Sequence, residues 1–383
     1  MALAEFLSGF IAGLAGLVAF VHTNFILQIA AYALPEGFSK PVFASALSFS
    51  KLVFELIPSI FFAVPATSMG IALLPSQKLI LEGKGILALK TALGAFFQSG
   101  VYCVILVMPV IVLLPVANQA IAPVSGFALM ALVSLAVFAK QRPIESAFAF
   151  RLSGALGIAL FSNAIREPLF PLLSGLLGVP ALLFALDEGQ VPRQEEEEAK
   201  PTINKLVFAG TVAGAFSSLL PAMTPAFLIA LIFLFFESES PTAVLQASSA
   251  TLLSKTFFDF VAFYAIGKTR SGAVAFSGQE LAFLPQLAAA LAAGLAALFL
   301  AIALMLLLYR RFAAMKVFAN KHAKLALLVF FAIASIAANG PIGLLVLGAS
   351  ASVGIAIALL GVNKSMTMGA LLLPSIAYYF HAA

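Results

Sequence analysis

Apolar stretches of about 20 residues recur along the whole of this 383-residue chain, separated by short polar or basic connections. A stretch of that length matches a hydrocarbon core of ~30 Å, and no other feature restricts the fold so strongly. With 62% of its residues hydrophobic and 10% charged, a soluble globule of this size could not cover its own surface with charge. The Ala/Leu/Phe-rich blocks are continuous rather than alternating, which excludes a transmembrane barrel. The expected class is an all-α polytopic protein of the cell (cytoplasmic) membrane, with about 10–12 transmembrane or half-membrane helices. The start, "MALAEFLSGF", lacks a basic n-region and a small-residue cleavage site, so it reads as a first membrane helix. The net charge of +5 resides in short connections, where it orients a membrane protein. Lipid is therefore the expected environment, and no nucleic acid is an expected partner. Cys103 is the one cysteine, so no intramolecular disulfide forms.

Two apolar runs carry charges where none is expected. "SKLVFE" (Ser50–Glu55) lies within 41–65, and "SKTFFD" (Ser254–Asp259) within 241–266. A charge at the bilayer centre costs at least ~2.5–3.5 kcal/mol on insertion scales, so these four side chains need a polar interior. Lys51 and Glu55, like Lys255 and Asp259, are spaced i,i+4 and share one helix face. In a functional role, Lys51 and Lys255, with Ser50 and Ser254, bind an anionic substrate while Glu55 and Asp259 take a coupling cation or proton. In a structural role, the pairs clamp the two parts of the chain together. Both roles fit the spacing.

The acidic segment 187–203, "DEGQVPRQEEEEAKPTI", separates residues 1–186 from 204–383. Its consecutive Glu residues and flanking Pro mark a solvated linker. The parts on either side resemble each other. "SGFIAGLAGLVAFVHTNFILQIA" from Ser8 aligns with "AGTVAGAFSSLLPAMTPAFLIAL" from Ala209, setting Gly9 and Gly13 opposite Gly210 and Gly214. The Ser-Lys-acid triplets follow in the same order. Each part is therefore read as one membrane repeat, a building plan of secondary transporters. The most basic connections, "AKQRPIESAFAFR" and "YRRFAAMKVFANKHAK", are placed in the cytoplasm. Counting spans near 121–139, 86–114 and 41–65 back from Lys140 then makes the repeats inverted, with the linker cytoplasmic.

Polar or Pro-rich breaks interrupt apolar stretches at His22, Thr23 and Asn24 and again at Pro221, Thr224 and Pro225. A third, "VPATSMG", holds Pro65, Thr67 and Ser68. Broken backbone is tolerated at membrane depth only inside protein or beside a wet cavity. The half-helix N-termini that follow the breaks would favour an anion. His22, Thr23, Asn24, Thr67, Ser68 and Thr224 are accordingly substrate-binding candidates. A tight hairpin at the membrane surface is the alternative for each break.

Four stretches resemble the large membrane subunit of tripartite tricarboxylate transporters, the TctA family, and within it the shorter archaeal-type members. They are "IPSIFFAVPATSMGIALLPSQKLILEGKGILALKTALGAF", "PLFPLLSGLLGVPALL", "LLPAMTPAFLIAL" and "LLGVNKSMTMGALLLP". The first break, "VHTN", departs from the family's Pro-Gly pattern, and Ala222 stands where a Gly is expected. The resemblance implies a secondary transporter for a di- or tricarboxylate, driven by Na+ or H+, with alternating access between repeats. It also implies a small membrane subunit and an extracytoplasmic binding protein as partners. A translocator of a lipid-linked anion such as a polyprenyl phosphate is the alternative. No P-loop, zinc signature or nucleophile elbow occurs, so neither an enzyme nor a cofactor other than coupling Na+ is expected.

Overall fold

The computed structural model describes residues 2–18, 23–35, 37–61, 73–138, 142–163, 165–185, 194–196, 204–220, 223, 225–236, 240–313, 321–362 and 364–381. Among them all regular structure is helical. The segment before the linker holds α1 (Ala2–Gly13), α2 (Thr23–Ala33), α3 (Lys40–Phe54), α4 (Leu56–Phe61), α5 (Leu73–Leu81), α6 (Gly85–Ile121), α7 (Ser125–Phe138), α8 (Pro143–Phe161), α9 (Leu169–Leu173) and α10 (Val179–Ala185). After it come α11 (Lys205–Phe216), α12 (Pro225–Phe235), α13 (Pro241–Ile266), α14 (Gly272–Ser277), α15 (Leu284–Ala313), α16 (Lys321–Asn339), α17 (Pro341–Leu359) and α18 (Gly369–His381).

Among the described residues, five helical stretches combine the length and hydropathy needed to cross a membrane: Lys40–Phe61, Gly85–Phe138, Pro143–Phe161, Leu284–Phe312 and Pro341–Leu359. Shorter apolar helices fill out the polytopic all-α pattern. The 26 residues of α13 reach ~39 Å, but polar side chains such as Ser248, Ser249 and Thr251 lower its hydropathy. Protein rather than lipid surrounds those side chains. Two boundaries differ from the sequence reading, which takes 139–151 as a connection although α8 already begins at Pro143, and which ends a span near 114. Helix α6 runs on to Ile121 with Pro109 and Pro115 inside it. Proline is tolerated there because local adjustment of a membrane helix re-satisfies the freed carbonyls.

Two bundles form, and each is built from both sides of the linker. The first core joins Phe49, Phe54 and Phe96 with Phe257, Phe258 and Leu298. The second joins Leu129, Phe150 and Leu176 with Phe227, Val346 and Leu372. The long helices are exchanged between the halves. Helix α6 lies along α13, where Ser99 Oγ donates to the Ala250 carbonyl at 3.2 Å and Lys268 Nζ donates to Asn118 Oδ1 at 2.6 Å. Helix α15 lies along α3, with Gly294 against Ser45 and Phe49. In the second bundle α8 packs on α18, and α17 packs on the segment 169–185.

Glycine makes these contacts close, and the same contacts occur twice. Gly157 sits on the Ala370 carbonyl and Gly369 on that of Phe150. Correspondingly, Gly354 sits on the Leu176 carbonyl and Gly175 on that of Leu347. A β-carbon at any of the four would overlap backbone, which cannot move aside as a flexible side chain can. Gly157→Val and Gly354→Val should each cost about 1–3 kcal/mol or more through overpacking. Gly94, with open space around it, should accept Ala with an unchanged or higher melting midpoint.

The linker is docked at one end of the first bundle. Gln194 Oε1 accepts the N–H of Gly85 at 2.6 Å, completing the N-terminus of α6. Glu195 N donates to the Gly83 carbonyl at 2.8 Å. Glu196 takes Arg310 Nη2 at 3.0 Å and Lys90 Nζ at 3.3 Å, together with the Tyr309 hydroxyl. One carboxylate thereby joins the first turns of α6 to the last turns of α15, whose middles meet at Gly100 and Phe299. The two helices are therefore antiparallel. Tyr309 and Arg310 hold the Glu196 carboxyl down to about 2. Its contribution to stability is complete above the unfolded carboxyl range near 4.5 and is lost as pH falls through about 2. Glu196→Gln should lower the melting midpoint at pH 7 and low salt. Acid should close the gap to wild type, and so should high salt, because these groups are exposed.

Candidate functional site

Helices α1 and α11 are 12 residues each, ~18 Å, about half of a hydrocarbon core. Each enters beside a longer helix, stops, and is followed by a helix that returns toward the same face. Ser39, just before α3, donates its N–H to Glu5 Oε1 at 3.2 Å, so the chain that leaves α2 returns to where α1 begins. In the second half, Asn204 Nδ2 bonds Gln246 Oε1 at the start of α13, and Phe236 at the end of α12 lines a groove with Asn204. Both pairs re-enter rather than cross.

The half-helices sit on the Ser-Lys helices in the same register. Gly13 packs against Ser50 and Lys51, and Gly214 packs against Ser254 and Lys255. The Ser50 hydroxyl reaches the Phe10 carbonyl at 3.5 Å, while that of Ser254 donates to the Thr211 carbonyl. Both serines are fully buried; the Ser254 hydroxyl closes the helix–helix contact, whereas that of Ser50 donates chiefly to the Ala46 carbonyl of its own helix at 2.7 Å. Lys51 pairs with Glu55, and Lys255 Nζ lies 2.7 Å from Asp259 Oδ2.

The two ion pairs are not equivalent. The Lys51 side chain is 4% exposed, whereas that of Lys255 is 20% exposed beside a nearly sealed Asp259. Asp259 Oδ1 is buried and finds no hydrogen-bond partner among the described residues. A carboxylate oxygen left so in low dielectric is costly unless a proton or cation reaches it. Thr23 and Asn24 open α2, and Asn24 lies against Gly272 at the start of α14. Pro225 opens α12. His22, Pro65, Thr67, Ser68, Pro221 and Thr224 lie outside the described residues.

Sequence reasoning passed over Arg270 and Lys268, in the connection between α13 and α14. Arg270 Nε and Nη2 donate to the carbonyls of Ser218 and Leu219, each at 3.1 Å, where the second break begins. Asp259 and Tyr379 lie within its electrostatic reach. A signal was present in "GKTRSG": two cations stand at the end of α13 opposite the basic connections, against the charge bias of the rest of the chain. No group of three His, Cys, Asp or Glu side chains among the described residues is arranged to hold a metal ion.

Comparison with known proteins settles the class. Residues 1–207, more than half of the chain, match the Tripartite tricarboxylate transporter TctA family. The chain belongs to that family. An uncharacterized protein of Methanocaldococcus jannaschii is 27% identical over 277 residues, covering 69% of this chain and 69% of its own length. An archaeal relative accords with the archaeal-type resemblance. No solved structure matches the chain. This TctA-family protein is thus a multi-pass membrane protein and a tricarboxylate transporter component.

The unequal exposure of the two lysines in this TctA-family protein predicts unequal responses to substitution. Lys51→Ala takes the ammonium away from Glu55 in a sealed site, which should destabilise by roughly 3–5 kcal/mol unless the carboxyl takes a proton. Lys51→Met with Glu55→Leu should recover the melting midpoint, since the desolvation cost leaves with the charges. Lys255→Ala, at the more open pair, should give a folded protein with a smaller loss of midpoint.

Proposed function

We propose that the protein is the translocating membrane component for an organic anion of the di- or tricarboxylate class, moved by alternating access and coupled to Na+ or H+. The Lys255–Asp259 pair carries this reading. Lys255 keeps part of its side chain accessible beside Gly214 of α11, and Asp259 Oδ1 is buried without a hydrogen-bond partner among the described residues. A reachable ammonium attracts a carboxylate, and a buried carboxylate oxygen without a donor suits a proton or small cation. Asp259 is the coupling-ion residue in this scheme, and Lys255 the first substrate contact. The tripartite character of the family supports two partners, a small membrane subunit and an extracytoplasmic binding protein.

We take 1–186 and 204–383, joined by the linker 187–203, as inverted repeats. The recurring glycine contacts and the antiparallel course of α6 and α15 support this. Each bundle draws helices from both repeats, so alternating access between repeats moves bundle against bundle and not half against half. An apolar groove of about 400 Å³ lined by Tyr102, Asn204, Lys205, Phe208, Ala209 and Phe236 is the feature that favours a lipid-linked anion instead. Its lining includes neither Lys255 nor Arg270, so the soluble anion is preferred.

The test is uptake into proteoliposomes with a panel of carboxylates, with and without Na+ or H+ gradients. A gradient should drive uptake by wild-type protein, and Asp259→Asn should lose the response to it while staying folded. Uptake of polyprenyl phosphate, with none of any carboxylate, would replace this function by the lipid alternative.

A further inference from the structure

We infer that Arg270 binds a carboxylate group of the transported anion at the point where the turn after α11 and the start of α2 meet the connection between α13 and α14. This rests on the transport function proposed above. Helix α13 ends at Gly267, which has φ +67°, and the chain turns there into the connection that carries Lys268 and Arg270. That connection touches both breaks. Arg270 holds the Ser218 and Leu219 carbonyls of the second, and Gly272, two residues on, lies against Asn24 in the first turn of α2. A β-carbon on residue 272 would displace the Asn24 side-chain amide from this contact.

The guanidinium is only partly committed. Nε and one N–H of Nη2 are used on carbonyls, while Nη1 makes no hydrogen bond among the described residues. The two carbonyls hold the fork in one plane, which pre-organises its free edge for a carboxylate. Charge balance points the same way. Lys255 and Arg270 share one described carboxylate here, Asp259, whose bonded oxygen already serves Lys255, and Lys268 adds a further cation beside Arg270. Lys268 is turned to the neutral Asn118. The excess positive charge, at the N-terminal end of the 11-residue α2, calls for an anion. With Lys255 as one contact and Arg270 as the other, the site suits an anion carrying at least two carboxylates.

A purely structural Arg270 would cap the end of α11 and nothing more, and affinity measurements separate the two roles. Full-length protein in lipid nanodiscs is titrated with citrate as probe, alongside Arg270→Gln, Arg270→Lys and the groove variant Lys205→Gln. Loss of a charge-assisted pair should weaken citrate binding about tenfold or more in Arg270→Gln and less in Arg270→Lys, with Lys205→Gln unchanged. In uptake, Arg270→Lys should raise KM more than it lowers kcat. Wild-type protein gives a check independent of folding: citrate should slow modification of Arg270 by phenylglyoxal, read by mass spectrometry of the Arg270 peptide. A folded Arg270 variant that binds citrate within about twofold of wild type overturns the assignment and leaves the transport function standing. Equal modification of Arg270 with and without saturating citrate does the same. Wild-type protein that binds neither citrate nor succinate removes the transport function, and this assignment with it.

Discussion

A helix that stops half-way across hydrocarbon leaves its last carbonyls with no partner in the chain and no water to replace one. This constraint governs the centre of the protein. Each unsatisfied group costs several kcal/mol in lipid, so a half-helix survives only where protein supplies the missing donors. After α11 the N–H groups of the turn take the last helical carbonyls, and Arg270 takes those of Ser218 and Leu219 in the turn, reaching them from beyond the far end of α13. The guanidinium is suited to the task because it stays charged and offers several donors in a fixed plane. Requiring a cation at that spot keeps positive charge beside the end of α11 whether or not a ligand is present.

A second constraint is the close approach of backbone to backbone. Without a hydrophobic drive between helices in lipid, association depends on packing and on hydrogen bonds, and glycine gives both more room. Gly13 and Gly214 bring the half-helices onto the Ser-Lys helices, and Gly157 and Gly354 do the same in the second bundle. The tightest contacts of that second bundle join residues about 200 positions apart in sequence. Neither half can be lifted away from the other without breaking both cores.

Much of this was legible in the sequence, for identifiable reasons. The class followed from hydropathy, because lipid leaves few solutions for the backbone. The Ser-Lys-acid triplets stood out because charge inside an apolar run is rare, and the structure places both at the tips of half-helices. Inequality between the triplets was not legible: burial of Lys51 against exposure of Lys255 depends on neighbours brought in by tertiary packing. Nor did the sequence disclose that Ser50 and Ser254 spend their hydroxyls on backbone carbonyls, the first on its own helix and the second on the adjacent one, since a serine beside a lysine looks the same in either use. Arg270 was overlooked for a related reason. A basic residue in a Gly-rich connection resembles an ordinary surface loop until the fold sets it against the carbonyls that follow α11. The continuation of α6 past 114 was missed because Pro109 and Pro115 would end a helix in water but not in a membrane.

The exchange of long helices has a consequence for how the chain is made. Helix α3 is buried along its whole length, yet α15, which covers much of it, is synthesised more than 200 residues later. Through that interval α3 must wait in or beside the bilayer with Lys51 and Glu55 in its wall. Their i,i+4 spacing lets them pair as soon as the helix forms, with no help from the rest of the protein. A charge pair that is local in sequence thus protects a newly inserted helix from its own polarity until its distant partner arrives.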